Sequence, residues 1–255
     1  MEYVKGFLIL IAYFTRIPIG SLVEFHESRF RKGISLFPLL GLVFFGILLI
    51  LSWALSYLHT DSAILGSSLI MVMYMLLSGG IHIDGLADSF DGFFSGREKE
   101  KIFAIMSDPH IGTFGVLGII MVYLINIGAL SGMIIPEILI FPYIARIHAY
   151  FVASFLPYAK ESGMGKTFVD SADIRVALAH YIVFGVVTGL FFDVGMYGTI
   201  LTSAGLSLVF AITAAGLSYR KIGGLTGDSM GMMIELSQTG YMLSFHILYH
   251  SYLFR

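Results

Sequence analysis

Five stretches of this chain hold no Asp, Glu, Lys or Arg and are long enough, or nearly so, to cross a bilayer: 34–57, 62–83, 111–136, 176–192 and 194–219. Two more are interrupted by one charge each, 138–159 by Arg146 and 229–254 by Glu235. A helix needs about 20 residues to span the hydrocarbon layer. In lipid every backbone N–H and C=O must be satisfied within the protein, which leaves helices or closed barrels. The period-2 alternation of a membrane barrel is absent. The pattern therefore predicts an all-α integral membrane protein with about seven transmembrane helices. Charged residues make up only 13% of the chain, about half the share of a soluble domain, so much of its surface must face something other than water.

The connections between these stretches alternate in character. Residues 58–61, 136–137 and 193 form short turns carrying Asp61, Glu137 and Asp193 without Lys or Arg. Residues 15–33, 84–110, 160–175 and 220–228 are longer and basic, with Arg16, Arg29, Arg31, Lys32, Arg97, Lys99, Lys101, Lys160, Lys166, Arg175, Arg220 and Lys221. Lys/Arg excess marks the cytoplasmic side, so the four long connections are expected to form one cytoplasmic face, with the C-terminus outside. The apolar run 6–14 is too short to span and is followed by Arg16, Ile17 and Pro18 rather than small cleavage-site residues. Residues 1–14 are thus expected as an interfacial or core-packed helix rather than a signal peptide. No repeat or linker divides the chain, so 1–255 is read as a single polytopic membrane domain. A net charge of -2 gives no reason to expect nucleic-acid binding. The lack of cysteine excludes disulfides, thiolate zinc sites and cysteine nucleophiles.

Chemistry-bearing residues gather in the basic connections. The densest run is Gly79-Gly-Ile-His-Ile-Asp-Gly-Leu-Ala-Asp-Ser-Phe-Asp-Gly92. Asp84, Asp88 and Asp91 stand at i, i+4 and i+7, which a helix places on one face. Three like charges on a stripe repel, and a bridging Mg2+ with its taste for hard oxygen ligands would relieve them; a solvated acidic face is the plainer alternative. Ser107-Asp-Pro-His-Ile-Gly-Thr-Phe-Gly115 enters the third apolar stretch. There Asp108 offers a fourth metal ligand, a base or simply a helix cap, and His110 an acid/base group or a phosphate contact. Arg220-Lys-Ile-Gly-Gly-Leu-Thr-Gly-Asp228 enters the last stretch. Gly223, Gly224 and Gly227 suit a tight turn that binds phosphate or metal, with Thr226 and Asp228 at its mouth. Arg146 lies mid-span and calls for a carboxylate or an anionic substrate; pairing with Glu235 is its structural alternative. Arg16, Lys160 and Lys166 are basic phosphate-contact candidates, each also readable as a solvated positive-inside charge.

Thr15-Arg-Ile-Pro18, Pro38-Leu-Leu-Gly41, the block from His82 to Gly92, Ser107 to Gly115, and Gly223-Gly-Leu-Thr-Gly-Asp228 together resemble the cobalamin (5'-phosphate) synthase family, whose members are also called adenosylcobinamide-GDP ribazoletransferases. The resemblance runs in order from about residue 7 to 235. It implies an enzyme of the prokaryotic inner membrane that assembles the cobalamin nucleotide loop on its cytoplasmic face. The ribose 3'-hydroxyl of alpha-ribazole, or of its 5'-phosphate, would attack the cobinamide-side phosphorus of adenosylcobinamide-GDP and expel GMP. It further implies Mg2+ on Asp84, Asp88, Asp91 and Asp108, with His82 and His110 beside them as catalytic groups. Arg16, Arg146, Lys166 and the turn of Gly223, Gly224, Thr226, Gly227 and Asp228 would take the phosphates. A homo-oligomer is compatible with all of this. The pattern of CDP-alcohol phosphatidyltransferases is approached by Asp88-Ser-Phe-Asp91-Gly92, but Ser95-Gly96 stands where that pattern needs Ala-Arg. A cation or metabolite transporter would place acidic residues inside several spans. Here only Arg146 and Glu235 lie deep among the charged residues.

Overall fold

A computed structural model describes residues 2–57 and 62–253. Thirteen α-helices account for most of these residues, and no strand is present among them. They are α1 Glu2–Phe14, α2 Glu27–Gly33, α3 Leu40–Tyr57, α4 Ala63–Ser78, α5 Ile81–Phe94, α6 Lys99–Met106, α7 Thr113–Leu130, α8 Pro136–Leu139, α9 Phe141–Ala153, α10 Met164–Ser171, α11 Ile174–Phe191, α12 Tyr197–Ile222 and α13 Gly227–Leu253. The expected turn 58–61 with Asp61, and Phe254 at the end of the last stretch, lie outside the described residues.

Four helical segments among the described residues are long and apolar enough to cross a membrane: Glu27–Tyr57, which carries α2 and α3, Thr113–Leu130, Ile174–Phe191 and Val194–Ile222. A fifth arises if α4 and α5, bent by 91°, count as one broken span. The two stretches that carry a charge behave differently. The run 138–159 is not one long helix: α9 has 13 residues, about 20 Å at the usual rise, and all of them but Phe151 are buried. The 27-residue α13 is long enough, yet Ser229, Glu235, Ser237, Gln238, Thr239 and Ser244 make it too polar to face lipid. All six are buried. These two helices are the axis of the bundle. α13 packs on α5, α7, α9 and α12, and α9 on α3, α11 and α12.

α9 runs antiparallel to α13. Near its start the carbonyl oxygen of Glu137 accepts from the Tyr241 hydroxyl at 2.7 Å. Beyond its end the Leu225 N–H donates to Pro157 O at 2.8 Å and the Ala159 N–H to Leu225 O at 2.7 Å. α1 lies on α2 with Ile9 and Leu10 buried. The residue after it, Thr15, is followed by a strap in which the Arg16 N–H donates to Leu77 O at 2.7 Å. Segments from the four basic connections are thereby drawn to one end of the bundle, around the start of α13.

Candidate active site

The site begins with a change of direction. α4 closes on Gly79, whose φ is 64°, and α5 opens on Gly80, whose φ is 74°. Side chains with a Cβ avoid this left-handed region. The Gly80 N–H reaches back to Met75 O and the Gly79 N–H to Leu76 O, each at 3.2 Å. Two left-handed residues in succession turn the chain through the 91° bend. α5 then runs across the end of the bundle and presents its carboxylates there.

α13 meets α5 almost backbone to backbone. A Cβ at Gly85 would stand 2.7 Å from the Asp228 carbonyl oxygen, and one at Gly231 would stand 2.9 Å from His82 O. That close crossing brings Asp228, in the first turn of α13, beside Asp84 and Asp88. Its helix start is fixed by Thr226 and Ser229. The Ser229 N–H donates to Thr226 Oγ1 at 3.1 Å, and the Thr226 N–H to Ser229 Oγ at 2.8 Å, a reciprocal cap. Gly223, at φ 81°, ends α12, and a Cβ at Gly224 would run into the Pro157 carbonyl. The 157–160 strap thus docks on this turn and brings Lys160 close enough for its charge to act on Asp88 and Asp228, with its ammonium 5.6 Å from the Phe103 ring centre.

Electrostatics show the crowding. The Asp88 carboxyl is pushed from its ordinary value to about 7, first by burial and then by repulsion from Asp84, Asp228 and Asp91, with Lys160 opposing. Asp228 is raised as well, chiefly by burial; Lys160 draws it back and Asp84 raises it further. Asp84, Asp88 and Asp228 therefore form one coupled group with Lys160 as its nearby cation. Two of the expected aspartates are otherwise engaged. Asp91 accepts from the Gly112 N–H at 2.7 Å and the Gly115 N–H at 2.9 Å, capping α7 from outside. Asp108 is exposed and held by its own neighbour, accepting from the His110 backbone N–H at 2.9 Å and lying 2.7 Å from His110 Nδ1. Those bonds pull its pKa down. Among the described residues no three His, Asp or Glu side chains converge tightly enough to hold a metal ion as they stand.

Two spaces adjoin the group, and Asp84 lines both. One is a cavity of about 220 Å³ walled by aromatic residues with His82 among them. The other is an open groove of about 620 Å³ that includes Arg16, Ser78 and Gly80. Gly227 and Asp228 border the cavity, as does Gly165 next to Lys166, whose own ammonium pairs with Asp170 at 3.0 Å. Arg146 is not brought to this end. It is buried inside the bundle, donating to Pro142 O at 3.0 Å and to the Tyr74 hydroxyl at 3.3 Å, with its guanidinium 4.5 Å from the Phe44 ring centre. Neither space is lined by it, and no ion pair joins it to Glu235.

Lys160 is the residue that sequence spacing undervalues. It stands among many positive-inside charges, and only the pairing of Tyr158 with Leu225 marks it out. The aromatic wall, with Phe14, Phe37 and Phe168 drawn from three separate segments, carries no local motif either.

The sequence profile described as Cobalamin-5-phosphate synthase matches residues 6–246. Among curated relatives, a protein of Alkaliphilus oremlandii named adenosylcobinamide-GDP ribazoletransferase is 38% identical over 96% of this chain and 98% of its own length. A protein of the same name from Acetivibrio thermocellus is 35% identical over 97% and 99%. One from Clostridium acetobutylicum is 34% identical over 98% and 99%. No solved structure matches the chain. With a profile covering nearly its whole length and relatives aligned end to end, the chain belongs to the Cobalamin-5-phosphate synthase family.

Proposed function

We propose that this protein is an adenosylcobinamide-GDP ribazoletransferase. It joins alpha-ribazole, or its 5'-phosphate, to adenosylcobinamide-GDP with release of GMP, at the bundle end where α5 meets α13. The observation that carries the assignment of the site is the coupled group of Asp84, Asp88 and Asp228 set between a cavity and a groove. The name shared by the curated relatives supports the reaction itself.

The donor set suits Mg2+, since three hard carboxylates repel one another with one nearby ammonium to offset them. Asp84 and Asp228 would hold the ion, which when bound would offset charge on a diphosphate and its leaving nucleotide. The chain's own groups divide the remaining work. Arg16 in the groove and Lys160 beside Asp228 present cations to phosphate oxygens. Asp88, the carboxylate left off the ion, would receive the proton of the attacking hydroxyl. Asp91 holds the 107–115 loop against α5, which keeps the acidic face of α5 from tilting.

The polar end is assigned to the cytoplasmic side of the prokaryotic inner membrane on the strength of its Lys and Arg residues. Crossings by α3, α4, α7, α9 with α8, α11, α12 and α13 keep the four basic connections together. α9 and α13 would then cross inside the others. Nothing in the site favours a phosphatidyltransferase or a transporter over this reaction.

Purified protein incubated with adenosylcobinamide-GDP, alpha-ribazole 5'-phosphate and Mg2+ should release GMP, and a parallel reaction without the metal should not. Absence of GMP from folded, monodisperse protein would overturn the assignment; metal-independent release would remove Mg2+ alone.

A further inference from the structure

The cavity behind Asp84 is built from rings. Phe14 and Phe37 meet edge to face at 5.2 Å, Phe37 and Phe168 at 4.8 Å, and the Phe14 ring lies nearly parallel to the His82 imidazole, 6.1 Å away at 27°. His82 is 4% exposed, and its Nε2 is buried without a hydrogen-bond partner. At about 220 Å³ the space falls below the usual range for whole ligands, about 300–1,000 Å³, so it suits a ring-sized fragment and not a corrinoid. A lipid chain would offer nothing to the Asp84 and Asp228 carboxylates that border the cavity. Guanine carries donors and acceptors around most of its edge, and this wall offers it few partners.

We propose that this cavity seats the flat aromatic base of the nucleoside acceptor, with Phe14, Phe37, Phe168 and the His82 ring gripping the ring system. The inference rests on the transferase assignment and deepens it by separating the two substrates. The cavity mouth is bordered by Asp84 and Asp228. A base buried inside would therefore leave its ribose at the carboxylates, with the hydroxyl facing the group that takes its proton. The open groove with Arg16 on the other side of Asp84 is left for the diphosphate donor. His82 is a positioning residue here, acting through the base and not on the reacting phosphorus.

Two variants and two measurements test this. Phe168→Trp narrows the cavity from the peripheral helix α10, and His82→Leu removes a flat ring from its wall while keeping an apolar side chain. Steady-state GMP release should show KM for alpha-ribazole rising about tenfold in either variant, with KM for adenosylcobinamide-GDP within about twofold of the parent. A rise confined to the donor's KM, or no change in either, overturns the proposal. Calorimetric titration of the full-length protein with benzimidazole alone, without any turnover, provides the second arm. Binding by the parent and its loss in Phe168→Trp supports the cavity even if no GMP is ever released, so the two assignments fail separately. Equal binding by parent and variant, or none by a parent that turns over, places the base elsewhere.

Discussion

Asp88 sits where three other carboxylates and a partly dry surface all resist its ionisation, and its pKa rises to about 7. A carboxyl whose folded value exceeds its unfolded one contributes stability at low pH, and that contribution is lost as the pH climbs from the ordinary carboxylate range through about 7. In chelator-treated protein the unfolding midpoint should accordingly fall over that window. Asp88→Asn, which abolishes the titration, should flatten the fall and raise the midpoint at pH 8 while lowering turnover at least about a hundredfold. A thermal scan against pH, run beside the GMP assay, reads both; a variant that is less stable at pH 8 contradicts the electrostatic origin of the shift. The helical spacing of Asp84, Asp88 and Asp91 made a shared face legible from sequence, because i, i+4 and i+7 are neighbours on any helix. Spacing says nothing of what each side chain meets across space. Asp91 also accepts from the amides of Gly112 and Gly115, Asp108 accepts from the His110 N–H, and Asp228 joins Asp84 and Asp88 from the far end of the sequence. Arg146 likewise stands out as a charge in an apolar run, yet its guanidinium is met by a carbonyl, a phenol and a ring.

Helices α3, α7, α11 and α12 are those that a charge-free window finds well, since their outer faces have to suit lipid and their composition records it. α9, buried at every residue but Phe151, and most of α13 are enclosed by α3, α5, α7, α11 and α12, while α13 emerges at Ile247, His250 and Ser251. Hydropathy measures preference for a solvent, so it loses meaning for a helix that meets none. The elbow between α4 and α5 is the other element-scale feature that sequence half reveals: two adjacent glycines announce a break, but not its sense or angle. Gly80→Ala should destabilise by about 1–2 kcal/mol, the strain of a left-handed residue with a Cβ, and lower the melting midpoint by a few degrees. A built Cβ there has ordinary contact with Ile83 at 3.6 Å, so the loss would come from the backbone. Gly85→Ala is a harsher test. Its Cβ meets the backbone of Asp228, so it should abolish GMP release even where the protein still purifies as a monodisperse species.

The molecule as a whole has one polar end and one plain end. Because the chain has no cysteine, single cysteines can map the two against the membrane without background. A cysteine at exposed Gly96 should react with a membrane-impermeant maleimide only after cells are opened, and one at exposed Val194 should react in intact cells. The reverse pattern would turn the active end outward. The polar flank of α13 has a further consequence, for how such a protein is made. A segment bearing Glu235 and Gln238 is a poor candidate to enter lipid by itself, so it should be admitted only once the groove formed by α5, α7, α9 and α12 is waiting. The same segment delivers Asp228 through its first turn. Biogenesis and competence would then be completed by a single late event, and nascent chains arrested before Gly227 should reach the bilayer and remain inert.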